Sequence, residues 1–203
     1  MKDQEIEVKF YVNDLPAIRN QLEQIGAQLT QPRTLEINLR YDTSDGELAR
    51  SFRVLRLRQD TAARLTYKGP GRAQDGARIR QEIEMEVESF DQAKAFLAAL
   101  GYQVSMVYEK YRTKYEFECV HLDLDEMPYG NFIELEGEDV PALHSLSDRL
   151  GLDWDASSPE SYVMLFEALR AKMNLPFRDL SFSNFTNLRV LPADLGLKNA
   201  DQA

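Results

Sequence analysis

Like-signed charges recur two residues apart along this chain, inside stretches whose intervening positions are mostly apolar. Acidic pairs stand at Glu5/Glu7, Glu82/Glu84, Asp123/Asp125 and Glu134/Glu136. Basic pairs stand at Arg56/Arg58, Arg78/Arg80 and Lys110/Arg112, with Lys9 and Lys68 as single additions. Residues i and i+2 of a strand point to the same side, so each pair is aimed at one place. Ile6, Val8, Phe10 and Val12 alternate with Glu5, Glu7, Lys9 and Tyr11; Ile79, Ile83, Met85 and Val87 alternate with Arg78, Arg80, Glu82, Glu84 and Glu86. The same period predicts strands where Leu122 and Leu124 alternate with Asp123 and Asp125, and where Ile133 and Leu135 alternate with Glu134 and Glu136. Shorter segments around 55–58, 65–68 and 108–115 follow suit.

One such pair reads as an ordinary solvated sheet face, because surface ion pairs are common and weak. So many on separate strands require another arrangement. If the sheet closes on itself and helices cover its apolar outside, the charged faces line the interior. About eight strands is the size at which a barrel interior holds one small ligand. Like charges packed there repel one another unless a ligand compensates them. A polyanion beside divalent cations satisfies both signs, since arginines and lysines hold phosphate oxygens and carboxylates hold hard cations.

Helical patterns separate the strands. Asn13-Asp14 caps a helix with Pro16 in its first turn and an apolar face of Leu15, Ile18, Leu22 and Ile25, ending at Gly26. A second helix runs from Asp91 with Ala93, Phe96, Leu97 and Leu100 and stops at Gly101; a third uses Leu143, Leu146 and Leu150 and stops at Gly151. Ser158-Pro159-Glu160 is expected to open a fourth, with Ser158 as cap, running to about Met173. Each of the first three helices follows a strand bearing Glu-x-Glu or its Glu-Leu-Glu equivalent. The chain therefore reads as one pseudo-repeated α+β domain.

A net charge of −10 lacks the basic footprint of a nucleic-acid or anionic-membrane binder. The one cysteine, Cys119, cannot form an internal disulfide, which suits a reducing cytosol. No stretch approaches the ~18 apolar residues of a membrane span. A cytoplasmic protein with no nucleic-acid or membrane partner is expected. Cys119 reads as a small buried residue, His121 as a mouth residue, His144 as a surface helix residue, and Trp154 as packing between the third helix and the sheet.

Taken in order, several segments resemble the CYTH family, also called triphosphate tunnel metalloenzymes: Glu5-Ile6-Glu7-Val8-Lys9, Leu55-Arg56-Leu57-Arg58, Leu65-Thr66-Tyr67-Lys68-Gly69-Pro70, Arg80-Gln81-Glu82-Ile83-Glu84, Glu109-Lys110-Tyr111-Arg112, and the run from Leu124 to Glu136. The resemblance covers roughly residues 1–170. It implies an eight-stranded antiparallel β-barrel, or tunnel, with helices packed outside, acting on a triphosphate-containing small molecule with Mg2+ or Mn2+. On that resemblance Glu5, Glu7 and Lys9 are the catalytic set. Glu5, Glu7, Glu134 and Glu136 hold metal, together with Asp123 or Asp125. Lys9, Arg56, Arg58, Lys68, Arg80, Lys110 and Arg112 hold phosphates. Removing Arg56 or Lys110 is expected to cost no stability without ligand.

The leading reading is a metal-dependent phosphohydrolase acting on inorganic triphosphate or an organic triphosphate. The alternatives are a class IV adenylyl cyclase, converting ATP to cyclic AMP and pyrophosphate, and a non-catalytic polyphosphate-binding module. The tunnel domain is expected to span 1–174, with 175–203 a C-terminal extension, partly docked and loose from Gly196. Phe177, Phe182 and Phe185 together would make a costly exposed patch, so they are expected to pack on the barrel wall or on a second subunit. The resemblance makes a homodimer plausible.

Overall fold

The computed structural model describes residues 4–75 and 77–201, with side chains from Ile6 onward. Strand β1 (Gln4–Val12) leads through α1 (Leu15–Ile25) to β2 (Gln28–Asp42), and a short α2 (Glu47–Arg50) leads to β3 (Val54–Gln59), β4 (Ala63–Lys68), β5 (Arg72–Gln74) and β6 (Ala77–Val87). Then come α3 (Phe90–Ala99), β7 (Gln103–Phe117), β8 (Val120–Met127), β9 (Gly130–Gly137), α4 (Val140–Arg149), β10 (Ser157–Ser158), α5 (Tyr162–Met173) and α6 (Phe182–Phe185). The strands form one antiparallel sheet in the order β10-β1-β9-β8-β7-β2-β3-β4-β6-β5. β1 also pairs with β6, from Gln4↔Gln81 to Glu7↔Arg78, so the series of pairings returns to its first strand. No described helix is long and apolar enough to cross a membrane.

The helices lie on the face opposite the charges. Val8, Phe10 and Val12 of β1, Leu122 and Leu124 of β8, and Ile133 and Leu135 of β9 are buried under Leu15, Ile18 and Leu22 of α1 and Leu143, Leu146 and Leu150 of α4. Asp14 caps α1, its carboxylate accepting from the Ala17 amide at 2.9 Å, and Gly26 closes it at φ 84°. That left-handed conformation comes without penalty only to glycine. Trp154 packs edge-on against Phe10 and lies over His144.

Four local expectations need correcting. α3 buries only Leu97 fully, with Phe90 and Ala93 partly buried beside it, while Phe96 and Leu100 stay exposed. Positions 90, 93 and 97 make the stripe that meets β3 and β4, and 96 and 100 fall on its flank. α5 begins at Tyr162 with Ser161 as its cap. Ser158 is instead held in β10 against Lys9 and donates to Glu160 Oε2 at 2.6 Å. Cys119 is exposed, in the turn between β7 and β8. Finally, β2 was not anticipated: Pro32 and register shifts between Leu29 and Thr34 break its alternation.

A further apolar cluster takes up inner-parity positions of several strands. Tyr11, Tyr108, Met127 and Phe132 share strand parity with the charged residues but are buried against Tyr162, Leu165, Phe166 and Leu169 of α5. The C-terminal segment completes this cluster with Leu180, Phe185 and Leu195. Phe177 stacks on Phe166, and Phe182 leans on Tyr111. The tail aromatics thus pack within the chain. The segment is also tied by backbone: the Leu180 amide donates to the Val107 carbonyl, and the Ala200 amide donates to the Tyr11 carbonyl at 2.9 Å. Against the expected looseness from Gly196, Ala200 is buried and Asp201 Oδ2 accepts from the Asn13 and Asp14 amides. Residues 202 and 203 lie outside the described residues.

Candidate active site

Period-two alternation places the ionic residues on the face away from α1 and α4, around a cavity of ≈ 590 Å³. That volume is ordinary for a site taking one small ligand. Glu7, Lys9, Arg56, Arg58, Lys68 and Arg80 line it, as do Lys110, Arg112, Asp123, Glu134 and Glu136. Asp125 does not line it. The side chain of Glu5 lies outside the described residues; its backbone pairs with Arg80 across β1–β6. His121 lines the cavity as an exposed residue.

Acids and bases are sorted by strand. β9 lies between β1 and β8, and these three neighbours carry Glu7, Asp123, Glu134 and Glu136. The strands that follow, β7 through β6, carry Lys110, Arg112, Arg56, Arg58, Lys68 and Arg80, with Glu82 and Glu84 among them. Register sets like charges directly opposite one another: Glu7↔Glu136 across β1–β9, Asp123↔Glu134 across β8–β9, and Arg40↔Arg56 across β2–β3. Such pairs are destabilising in a sheet unless something of opposite sign lies between them.

Internal ion pairs supply part of that compensation. Lys9 Nζ is 2.9 Å from Glu134, and its charge lies 4.3 Å above the Tyr162 ring. Arg112 bridges Asp123, Asp125 and Glu134. Lys68 meets Glu82 at 2.8 Å, Arg80 meets Glu7 at 3.2 Å, and Arg58 meets Glu84 at 3.0 Å. Arg56 donates to the Tyr108 hydroxyl at 3.1 Å and to Thr66 at 3.2 Å. Burial works to raise the Glu134 carboxyl, yet Lys9, Arg112 and Lys110 hold it well below the usual carboxylate range. Burial pushes Asp123 the other way, upward, with Arg112 opposing and Asp125 adding to the rise.

Asp125 has a different setting from Asp123. It is fully buried and accepts from Lys110 at 3.0 Å, from Arg112 Nε at 2.6 Å and from the Tyr162 hydroxyl at 2.7 Å. These donors fix it beneath two of the cavity cations.

Three cavity-side residues of β2 escaped the sequence reading. Glu36 is fully buried, 3.6 Å from Lys110 and 3.9 Å from Arg58, with neither carboxylate oxygen in a hydrogen bond. Burial favours its neutral form, but Lys110, Arg112, Arg58 and Arg56 hold its pKa down at about 2. Asn38 is buried with both amide atoms unpartnered. Arg40 lines the cavity. Their signal was the alternation Glu36, Asn38, Arg40 against Leu35, Ile37, Leu39 and Tyr41, hidden because the inner set mixes signs.

The donor chemistry suits a hard divalent cation. Glu7, Glu136, Asp123 and Glu134 present carboxylate oxygens from three adjacent strands; Arg112 already bridges Asp123 and Glu134, while Glu7 and Glu136 face each other as like charges across β1–β9. Among the described residues no group of three acid, histidine or cysteine side chains already converges as a metal cage. Magnesium sites that use one or two carboxylates plus substrate phosphates do not need one.

Comparison with known proteins agrees with this geometry. The CYTH domain family model matches residues 3–144. A protein of Methanocaldococcus jannaschii, provisionally named an adenylate cyclase, is 26% identical over 134 residues, covering 65% of this chain and 75% of its own length. A Vibrio parahaemolyticus structure, also provisionally named an adenylate cyclase, superposes with TM-score 0.73 at 23% identity, over 83% of this chain and 100% of that one. An adenylyl cyclase candidate of Hippeastrum, described as having a dominant triphosphatase activity, superposes with TM-score 0.62 at 20% identity, over 80% of this chain and 95% of that one. With its matching family model, antiparallel sheet and outer helices, this chain belongs to the CYTH family.

Proposed function

We propose that the ring of pairings from β1 to β6 forms a barrel enclosing a tunnel, where a triphosphate binds beside Mg2+ or Mn2+ and is hydrolysed. The observation that carries this reading is that four of the six cavity-lining acids lie on β1, β9 and β8, while most cations lie on the remaining strands. Anion binding alone gives no reason for opposed carboxylates. Residues 1–174 would form the tunnel domain and 175–203 its docked extension.

On this reading Arg56, Arg58, Lys68, Arg80, Lys110 and Arg112 neutralise phosphate oxygens. Glu7, Glu134, Glu136 and Asp123 would hold the cation, with Glu5 of the same motif beside them. When bound, the cation supplies Lewis acidity to the phosphoryl oxygens. Lys9 and Arg112 exchange their carboxylate partners for phosphate as the ligand enters, which leaves those carboxylates for the metal. Asp125 and Tyr162 orient Lys110 and Arg112 from below. Phosphoryl transfer depends mainly on such positioning and charge neutralisation. Water attacks the terminal phosphorus, the bond to the bridging oxygen breaks, and phosphate leaves from the remaining diphosphate.

Hydrolysis is supported by the activity described for the Hippeastrum neighbour. Cyclisation of ATP is the second reading, favoured by the name of the Methanocaldococcus jannaschii relative. Incubation with ATP or inorganic triphosphate and Mg2+ or Mn2+ separates the two. Phosphate release from either substrate, lost in chelator and largely lost in Glu136→Gln, is expected. Cyclic AMP with pyrophosphate would establish the cyclase instead. Binding without turnover would leave a polyphosphate-binding module.

A further inference from the structure

The ionic residues do not account for the whole cavity. Much of its apolar lining comes from two segments outside the charged set: α2 and its connection into β3, with Ala49, Phe52 and Val54, and the first turn of α5, with Val163 and Met164. Phe52 is 79% exposed and Met164 53% exposed. An inorganic triphosphate has nothing apolar to place against them.

The position of Phe52 is built into the fold. Its φ of 57° is left-handed, an uncommon and costly conformation for a bulky side chain. The surrounding loop is pinned. The Asp42 carboxylate accepts from the amides of Thr43 at 2.8 Å, Leu48 at 2.8 Å and Ala49 at 3.0 Å. The Arg53 amide donates to the Leu48 carbonyl at 2.8 Å. A strained backbone therefore holds an exposed aromatic ring at a cavity rich in cations, and such strain gathers at ligand clamps.

Arg40 is a further cation of the cavity lining. It stands opposite Arg56, two residues before Asp42, and forms no salt bridge to a carboxylate among the described residues. Burial lowers the pKa of its guanidinium, with Arg56 and Arg80 adding to the fall and Tyr108 and Asp42 opposing it. An anion at that point would relieve both effects.

We infer that Phe52, with Val163 and Met164, forms the subsite for the organic group of an esterified triphosphate, a nucleoside triphosphate in particular, and that Arg40 meets the phosphate nearest that group. This rests on the triphosphate reading above. A flat base lies against the Phe52 ring by stacking, which is tolerant of base identity.

The test compares wild type, Phe52→Ala and Phe52→Trp on ATP and on inorganic triphosphate. Each is measured with Mg2+ or Mn2+ as kcat/KM and by calorimetric titration. The preference for ATP over inorganic triphosphate should fall about tenfold in Phe52→Ala, within the range of one lost stacking contact, and be retained in Phe52→Trp. An unchanged ratio overturns the subsite while leaving the triphosphate reading intact. If Phe52→Ala instead turns a dimer into a monomer at constant ratio, the rim is a self-association surface and the inference fails. A wild type that binds neither compound overturns the triphosphate reading itself.

Discussion

Glu36 is a fully buried carboxylate held among cations, and its titration can be followed. Its folded pKa of about 2 lies below the ordinary value, so the ionised form is favoured by folding. That stability is fully present above the unfolded pKa, about 4.3, and is lost as pH falls towards 2. The gap corresponds to about 3 kcal/mol at neutral pH. Glu36→Gln should therefore be less stable by about that amount at pH 7, with the difference closing between about pH 4.3 and 2. Urea denaturation across that range checks it, and a constant difference down to pH 2 contradicts it. The same surroundings revise the expectation for Lys110. Without it, Asp125 and Glu36 lose a close cation, so its removal costs stability even without ligand. The repeated like-signed pairs made most of these residues legible in the sequence. Glu36, Asn38 and Arg40 were not, because a mixed-sign inner face resembles any polar strand face.

At the scale of elements, the strand-then-helix units were legible because alternation and closing glycines agree at α1, α3 and α4, with a cap as well at α1; the caps of α3 and α4, Ser89 and Asp139, were not read. β2 was not legible, since its irregular first half masks a regular second half. The start of α5 was misread because Ser158 and Ser161 both suit a cap. Only the pairing of β10 with β1, a tertiary contact, decides between them. The C-terminal segment had no periodicity because its anchors, Leu180, Phe185 and Leu195, fill gaps between β-strand ends and α5 rather than one face of one element. Truncation after Asn174 should destabilise the chain, uncovering Tyr11, Met127 and Phe132. Fully burying each such large side chain contributes about 1.5–3 kcal/mol. A net loss of even about 3 kcal/mol would lower Tm by about 6–12 °C in a chain this long. Unchanged Tm with a lost dimer would mean that the segment serves a partner copy instead.

At the scale of the whole molecule, the order of strands was beyond the sequence. Nothing local in Ile6 and Glu7 announces that they meet both β9 and β6, yet that double pairing sets Glu7 between Glu136 and Arg78. The apolar closure by α5 and the C-terminal segment was equally hidden, because it depends on residues more than a hundred positions from β1. What the sequence did carry was the like-signed pairs of most inner faces, and with them the class of ligand proposed above. On the proposed reading these faces form a triphosphate site completed by a divalent cation. Calorimetric titration of the protein with inorganic triphosphate, with Mg2+ and again in chelator, tests it directly. A single saturable site is expected in Mg2+, weakened by chelator, by raised salt and by Arg56→Ala. No saturable heat under either condition would contradict it.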